Sequence, residues 1–224
     1  GYKEIILLGQ MVDSYGLSQI DRKNKLFDYA KIDSGKESPP FVQLLRAIDK
    51  MGAEKHLRLR FTSPHPKDVS KELIESFGTL KTLMPHIHLP VQSGDNACLK
   101  RMNRPYTRER YMELIKALRK VRPDIAITTD IIVGFCGETE KEFMNSYKLY
   151  EEADFDFCFI SRYSNRKGTY ADKSLKDDVP EVEKAKRWHT LNNLLKSTTQ
   201  RKLEKYIGKK VEVLVEKKSK NTYQ

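Results

Sequence analysis

Five short apolar runs, separated by stretches with helical periodicity, dominate the pattern of this chain. The runs cover residues 4–8, 57–61, 87–91, 125–133 and 155–160. Each has the length of a strand, and the last three show little strict alternation of apolar and polar side chains. That pattern predicts strands that are covered on both faces.

Amphipathic helices are predicted between these runs. Apolar residues recur three and four positions apart in residues 41–48, 69–83, 107–121 and 139–150. Thr107 and Thr139 stand where such a helix begins, and each is followed by glutamate in the first turn, which is typical of helix caps. A longer helix is predicted over 181–206, carrying Trp188 and Leu191 and ending at Gly208.

The repeated order of strand and helix predicts an α/β fold with a parallel sheet and right-handed crossovers. No dinucleotide-binding glycine fingerprint follows any of the runs, which favours part of a barrel over a doubly wound sheet. In such barrels the ligand-binding residues lie at the carboxyl ends of the strands. Function is therefore expected in the polar segments after each run.

Three regions are predicted. Residues 1–178 form the barrel, 179–207 a connecting helix, and 208–224 the start of a further domain whose first strand is 211–215. Residues 17–40 read as a polar loop that is too long for a routine connector. Because the chain enters a strand at once and has no initiator methionine, we expect it to be truncated at both ends.

Composition fits a protein of the reducing cytoplasm. Hydrophobic residues make up 38% and charged residues 33% of the chain, and no apolar run approaches the roughly 18 residues of a membrane span. The three cysteines, Cys98, Cys136 and Cys158, are too far apart for a metal motif and too few for a disulfide framework. Packing is the simplest role for each of them.

Positive charge is concentrated at the end of the chain. The formal net charge is +11, and residues 181–224 hold twelve Lys or Arg against five Glu. This excess indicates a polyanionic partner such as a nucleic acid, although a well-solvated helix explains it equally well.

The strand-end segments predict a mouth lined by amides, hydroxyls, arginines and one carboxylate. Asp130 lies inside an apolar run, where a carboxylate is costly unless it binds a ligand or holds a structural hydrogen bond. Residues 134–139 either approach a ligand or form only a turn and a helix cap. His65 and His88 have no partners at metal-ligand spacing, so no metal site is predicted within the chain.

Six of these segments, taken in order, resemble the radical-SAM methylthiotransferases of the MiaB type. They are GQMVDSYG, RFTSPHP, LPVQSG, RMNRPYT, TTDIIVGFCGET and YSNRKGT. The resemblance covers almost the whole chain and implies a partial (β/α)6 barrel that lacks its first unit. It also implies that the strand at 211–215 opens a TRAM-like RNA-binding β-barrel. Met11 departs from the family pattern, which usually has asparagine there.

The family resemblance implies two kinds of cofactor. The parent protein would bind S-adenosyl-L-methionine (SAM) and two [4Fe–4S] clusters, one of them held by a Cys-x-x-x-Cys-x-x-Cys motif upstream of residue 1. Within this chain no cluster and no catalytic residue are expected. The resemblance implies a SAM site built from backbone and side chains at the strand ends, namely Gly9, Gln10, Gln92, Ser93, Arg104, Asp130 and Gly134.

The implied reaction is methylthiolation at C2 of N6-isopentenyladenosine next to the anticodon of tRNA. Alternatives are a sister enzyme acting on threonylcarbamoyl-adenosine or on a ribosomal protein, or an RNA-binding module without catalysis. tRNA is the expected partner, with a reductant and a sulfur donor, and we expect a monomer without membrane contact. Candidate RNA-binding residues are Lys209, Lys210, Lys217 and Lys218.

Overall fold

A computed structural model describes residues 2–17, 38–215, 218–219 and 222–223. The predicted loop at 17–40 therefore lies almost entirely outside the described residues, as do Lys217 and the side chain of Lys218. All five predicted strands are present. They are β1 (Glu4–Leu7), β2 (Arg58–Phe61), β3 (His86–His88), β4 (Ala126–Val133) and β5 (Phe157–Arg162).

The strands are parallel and follow one another in chain order. β1 pairs with β2, and β3, β4 and β5 pair in that order. A bridge between Leu59 and Leu83 joins the two groups, because Leu59 donates to Thr82 O at 2.8 Å and accepts from Met84 N at 3.0 Å. Sequential neighbours in an all-parallel arrangement form the arc of a barrel, and a doubly wound sheet would reverse its order.

Seven helices accompany the strands in the described residues. They are α1 (Pro40–Gly52), α2 (Lys71–Thr79), α3 (Asn96–Arg101), α4 (Arg108–Val121), α5 (Glu140–Ala153), α6 (Tyr170–Ser174) and α7 (Glu181–Glu204). Thr107 caps α4 as predicted, and Thr139 forms a reciprocal capping box with Glu142 at the start of α5. The short α3 and α6 were not predicted, since they lack a full amphipathic repeat.

The core lies between the convex side of the arc and the helices. Ile87, Ile127 and Ile131 of the strands are fully buried there with Tyr111 and Leu114 of α4. The prediction that the later strands are covered on both faces is wrong for β4 and β5. Burial alternates along β4, and Phe157 and Phe159 of β5 are 41% and 58% exposed. The reason is that the helices pack against the other side of these strands, so alternate side chains face away from the core.

The strand predicted at 211–215 does not form in the structure. After α7 and Gly208 (φ +76) these residues have no regular secondary structure, and Val211, Val213 and Val215 are more than half exposed. A strand needs a partner for its backbone groups, and none of the described residues provides one. The described residues that follow form only a two-residue pairing, β6 (Lys218–Ser219) with β7 (Thr222–Tyr223).

Buried cations fasten α7 to the loop after β4. Arg187, 5% exposed, donates from Nη1 to the carbonyl and to Oε2 of Glu138, both at 2.9 Å. Lys184 is 1% exposed, its Nζ is held by Asp177 and Glu181, and its aliphatic chain crosses Gly134. A Cβ at Gly134 would lie 2.3 Å from Lys184 Cγ, and this residue also has φ +71. Gly134 is thus required by the packing of α7.

We predict that Gly134→Ala lowers the free energy of unfolding by about 2–4 kcal/mol, because it adds a clash to an unfavourable backbone angle. Gly168→Ala is the matched control, since Gly168 has φ +88 but nothing within 4 Å of the added Cβ. Its cost should be near 1 kcal/mol. Urea unfolding of both variants measures the difference, and equal losses would show that the contact with Lys184 is unimportant.

Candidate functional site at the carboxyl ends of the strands

A cleft of about 610 Å³ opens where β3, β4 and β5 end. Its wall combines the strand ends with the loop after β5. The residues that line it include Gln92, Arg104, Asp130, Ile132, Phe159, Ser161, Arg162, Tyr163 and Arg166. Three of the seven predicted SAM-contacting residues, Gln92, Arg104 and Asp130, are therefore brought together.

Backbone with positive φ follows each of the first four strands. The residues are Met11 (φ 130), Ser63 (φ 57), Gln92 (φ 69) and Gly134 (φ 71). Only one of them is glycine, and the other three adopt a conformation that is unfavourable for residues with a Cβ. Unfavourable backbone of this kind is concentrated at ligand-binding sites, where surrounding contacts hold it in place.

Gln92 is fixed by β4. Its N–H donates to Asp130 O at 2.8 Å, and its carbonyl accepts from Ile132 N at 2.9 Å. The backbone of Gln92 thus keeps its hydrogen bonds to β4 although its φ is 69, and the residue is only 8% exposed. These contacts hold the backbone from which the Gln92 side chain extends at the edge of the cleft.

Asp130 lies on the concave side of β4. Its carboxylate is 3.4 Å from His88 Nε2, and the other ring nitrogen of His88 is 2.9 Å from Thr128 Oγ1. The carboxylate keeps 35% of its side chain exposed in the cleft. Among the described residues its polar partner is therefore His88.

Arg104 is placed by the end of α3. Asn103, with φ 54, turns the chain, and Arg104 N donates to Leu99 O at 2.8 Å. The guanidinium reaches the cleft, and its buried Nε has no hydrogen-bond partner within the part of the chain that the structure describes. With Arg162 and Arg166 on the same wall, the cleft is electropositive around the single carboxylate of Asp130. These cations suit a ligand that carries a carboxylate or phosphate.

The other four predicted SAM-contacting residues lie apart from the cleft lining. Ser93 is fully buried and its hydroxyl is 3.3 Å from that of Ser146 in α5, on the convex side. Gly134 faces Lys184 and donates its N–H to Glu138 at 2.6 Å. Gly9 and Gln10 are exposed after β1, and neither belongs to the cleft lining. Their contacts with SAM remain predictions.

A buried acidic cluster joins the ends of β1 and β2. Both carboxylate oxygens of Asp13 accept from His65 N, at 2.9 and 3.2 Å, and Asp13 is only 4% exposed. Burial and then the nearby Asp68 raise the pKa of Asp13 to about 8, and the hydrogen bonds from backbone N–H groups oppose this without cancelling it. Asp13 and His65 lie in the segments GQMVDSYG and RFTSPHP, but 52 residues separate them, so the sequence did not reveal their contact.

Potential metal ligands are scattered among the described residues. Among them there is no group of three His, Cys, Asp or Glu that could hold a metal. Cys98, Cys136 and Cys158 are all buried, and burial raises the pKa of Cys98 to about 12, which disfavours the thiolate that binds iron. Nor is any of the described helices long and apolar enough to cross a membrane.

The chain belongs to the radical SAM superfamily, whose profile matches residues 1–150. Its fold is similar to that of coproporphyrinogen III oxidase (HemN) from Escherichia coli, a radical SAM enzyme, with a TM-score of 0.60 over 87% of this chain and 51% of that one, at 14% identity. The predicted fold class is confirmed.

The most informative relatives are tRNA-2-methylthio-N(6)-dimethylallyladenosine synthases. The chain is 44% identical, over 99% of its length, to those of Anoxybacillus flavithermus and Bacillus subtilis. It covers 38% and 40% of those two proteins, so it spans about two fifths of the length of the curated relatives it matches. The predicted resemblance to the MiaB-type family is confirmed.

We predict that stability falls with pH through the ionisation of Asp13. Its pKa is about 8 in the folded protein against an ordinary 3.8, so the folded state binds the proton more tightly. The stabilisation is complete below about pH 4 and is lost as pH rises toward 8, by at most about 1.4 kcal/mol per pH unit. In urea unfolding, Asp13→Asn should remove this dependence, while Glu151→Gln, at an exposed site, should keep it. A parallel pH profile for wild type and Asp13→Asn would contradict the assignment.

For Asp130 we predict a role in binding SAM. In the complete, cluster-loaded protein, Asp130→Asn should weaken SAM binding roughly tenfold, since a charge-assisted hydrogen bond contributes about 1.5–3 kcal/mol. The melting temperature should change little, because the carboxylate is partly exposed and His88 is the only ion-pair partner it has among the described residues. Calorimetric titration beside a melting curve tests this. Unchanged SAM affinity with lowered stability would make Asp130 a structural residue.

Proposed function

We propose that the protein containing this chain is a tRNA methylthiotransferase. It adds a methylthio group at C2 of N6-dimethylallyladenosine (isopentenyladenosine) next to the anticodon. The observation that carries the proposal is 44% identity over 99% of the chain to relatives named for this product. A sister enzyme for threonylcarbamoyl-adenosine or a ribosomal protein is less well supported, because the relatives reported above carry the dimethylallyladenosine name. The non-catalytic alternative is likewise not favoured.

SAM is the ligand proposed for the cleft. The cleft has a volume that suits a molecule of this size, and its lining mixes apolar and polar groups. Arg104 Nε, which has no hydrogen-bond partner among the described residues, could donate to an acceptor on this ligand. Arg104 would bind the carboxylate of SAM, Gln92 its ribose region, and Asp130 its adenosyl side. Gly9 and Gln10 would offer backbone to the amino group. Ser93 and Gly134 would act indirectly, by fixing the turns beside these contacts.

The clusters are proposed to be held by residues other than those described. Together with SAM, a [4Fe–4S] cluster supplies the 5′-deoxyadenosyl radical of this superfamily. We propose two clusters in the whole protein, one bound by a cysteine triplet upstream of residue 1. The contribution of this chain is to bind and orient SAM beside the substrate.

tRNA is proposed to contact the basic end of the chain. Lys209 and Lys210 are exposed and follow α7 in a segment with little packing, so their charges are available to phosphates. Lys217 and Lys218 would extend this segment, as part of the TRAM-like region at 208–224. We also propose that the protein works in the cytoplasm, where tRNA is available, and that it works as a monomer.

The function is tested with the complete protein, its clusters loaded under anaerobic conditions. Supplied with SAM, a reductant and a sulfur source, it should convert dimethylallyl-modified tRNA to the 2-methylthio product, seen by mass spectrometry of the digested nucleosides. tRNA that carries threonylcarbamoyl-adenosine is the control substrate. Modification of that tRNA alone would replace the proposal with the sister activity.

A second prediction concerns the salt dependence of RNA binding. Each lysine–phosphate contact releases counterions, so replacing the four lysines with glutamine should weaken tRNA binding and reduce the slope of log K against log salt by about 3 units. The four positions are Lys209, Lys210, Lys217 and Lys218. A control variant replaces four exposed lysines elsewhere with glutamine, namely Lys50, Lys55, Lys81 and Lys116. Its net charge is the same as that of the first variant. Equal slopes for the two variants would place the RNA contacts elsewhere.

A further inference from the structure

A small groove of about 370 Å³ lies beside the cleft, between the end of β5 and α7. It is lined by Arg162, Ala185, Trp188 and His189. Arg162 also lines the cleft, so the cleft and the groove adjoin at this residue. A ligand that extends out of the cleft on this side therefore enters the groove.

Two aromatic rings belong to the wall of this groove. Trp188 is half-buried, and its indole Nε1–H donates to Ile160 O at 2.9 Å, which fixes the ring against β5. His189 is exposed, and its ring meets that of Trp188 edge-on with the centroids 5.1 Å apart. Aromatic rings beside a cation suit single-stranded nucleic acid, because bases stack on the rings and phosphates pair with the cation.

The cation of the groove is available to a ligand. The side chain of Arg162 is 53% exposed, and its only ion-pair partner among the described residues is Glu181, at 3.9 Å. The side chain of Glu181 is itself 70% exposed. An exposed ion pair of this kind contributes little to stability, so a phosphate can replace the carboxylate at little cost.

The ligand proposed for the cleft does not account for this arginine. SAM carries a single carboxylate, which is assigned to Arg104, whereas its sulfonium and amino groups are positive. Arg162 and Arg166 on the same wall therefore have no anionic group of SAM to bind. An RNA substrate has to approach SAM through this mouth, and it brings one phosphate with each nucleotide.

The groove also leads toward the basic end of the chain. His189 and Lys196 are seven residues apart in α7, so they lie on one side of this helix. Lys196 is exposed and lines the next groove along α7, and Lys209 and Lys210 follow the end of the helix. A strand of RNA that left the groove along α7 would meet positive charge as far as the region proposed for tRNA binding.

We propose that Arg162, Trp188 and His189 bind the nucleotide next to the target nucleotide of the RNA substrate. Arg162 pairs with the phosphate, and the base stacks on the ring of His189 beside Trp188. This inference rests on the function proposed above, because it takes the substrate to be an RNA. The contact holds the target nucleotide at the mouth of the cleft without contacting the target base.

The salt dependence of binding tests the phosphate contact. The probe is an anticodon stem-loop RNA that carries dimethylallyladenosine, and the protein is complete and cluster-loaded. Arg162→Gln should weaken binding and reduce the slope of log K against log salt by about 0.7 units, the value for one contact with a single strand.

Arg110→Gln is the matched control and should leave the slope unchanged. The side chain of Arg110 is 43% exposed, and Glu113, at 3.3 Å, is its only ion-pair partner among the described residues. Arg110 lines neither the cleft nor the groove. The two variants therefore remove the same charge from surfaces of similar exposure.

An abasic nucleotide tests the stacking contact. In two further stem-loops, the nucleotide before or after the target lacks its base but keeps its phosphate. Removing one of these two bases should weaken binding to wild type at least about fivefold. His189→Ala should lose this sensitivity, and His189→Phe, which keeps an aromatic ring, should retain it.

Melting curves and SAM binding establish that each variant is folded. The inference is wrong if Arg162→Gln keeps the slope of Arg110→Gln, if wild type is insensitive to both abasic RNAs, or if His189→Ala remains sensitive. Unchanged RNA binding with a lowered melting temperature would show that another part of the protein covers the groove, which also overturns the inference. In each of these cases methylthiolation of the intact stem-loop by wild type leaves the proposed function standing. If wild type neither binds nor modifies that RNA, the proposed function is wrong as well.

Discussion

The buried ion pair between Arg187 and Glu138 is the contact on which the candidate site depends most. It connects α7 to the loop that ends β4, and this loop begins at Gly134, beside the cleft. Burial raises the pKa of Glu138, although the N–H of Gly134 and the guanidinium of Arg187 oppose that rise. Removing one partner of such a pair leaves a buried group uncompensated, which costs about 3–5 kcal/mol. The position of the last long helix and the shape of the mouth therefore change together.

The second constraint is the difference between the two sides of the arc. The convex side is a dense apolar core under the helices, whereas the concave side carries polar and aromatic side chains such as His88, Asp130 and Phe159. Because the strands are parallel and run in chain order, their carboxyl ends meet at one edge. Backbone with positive φ follows four of these ends. Within a single strand such as β4, alternate side chains therefore belong to the core and to the opposite face.

Much of this fold could be predicted from the sequence because the signals are local. Strand-length apolar runs gave all five strands, and threonine caps gave the starts of α4 and α5. Asp130 drew attention because a carboxylate in an apolar run is costly unless it is used. Family motifs added the superfamily and the cofactor, which periodicity alone could not supply.

The tertiary structure decided which neighbours in a motif face the cleft. Gln92 and Ser93 are adjacent, yet one lines the cleft and the other is buried against Ser146, since successive side chains near a strand end point to opposite faces. Gly134 was predicted to contact a cofactor, but the crossing of Lys184, fifty residues later, requires it. Contacts such as Asp13 with His65 and Glu138 with Arg187 join residues 52 and 49 positions apart. The sequence therefore determined the elements and the chemical class, and only the packing of distant segments decided which side chains form the site.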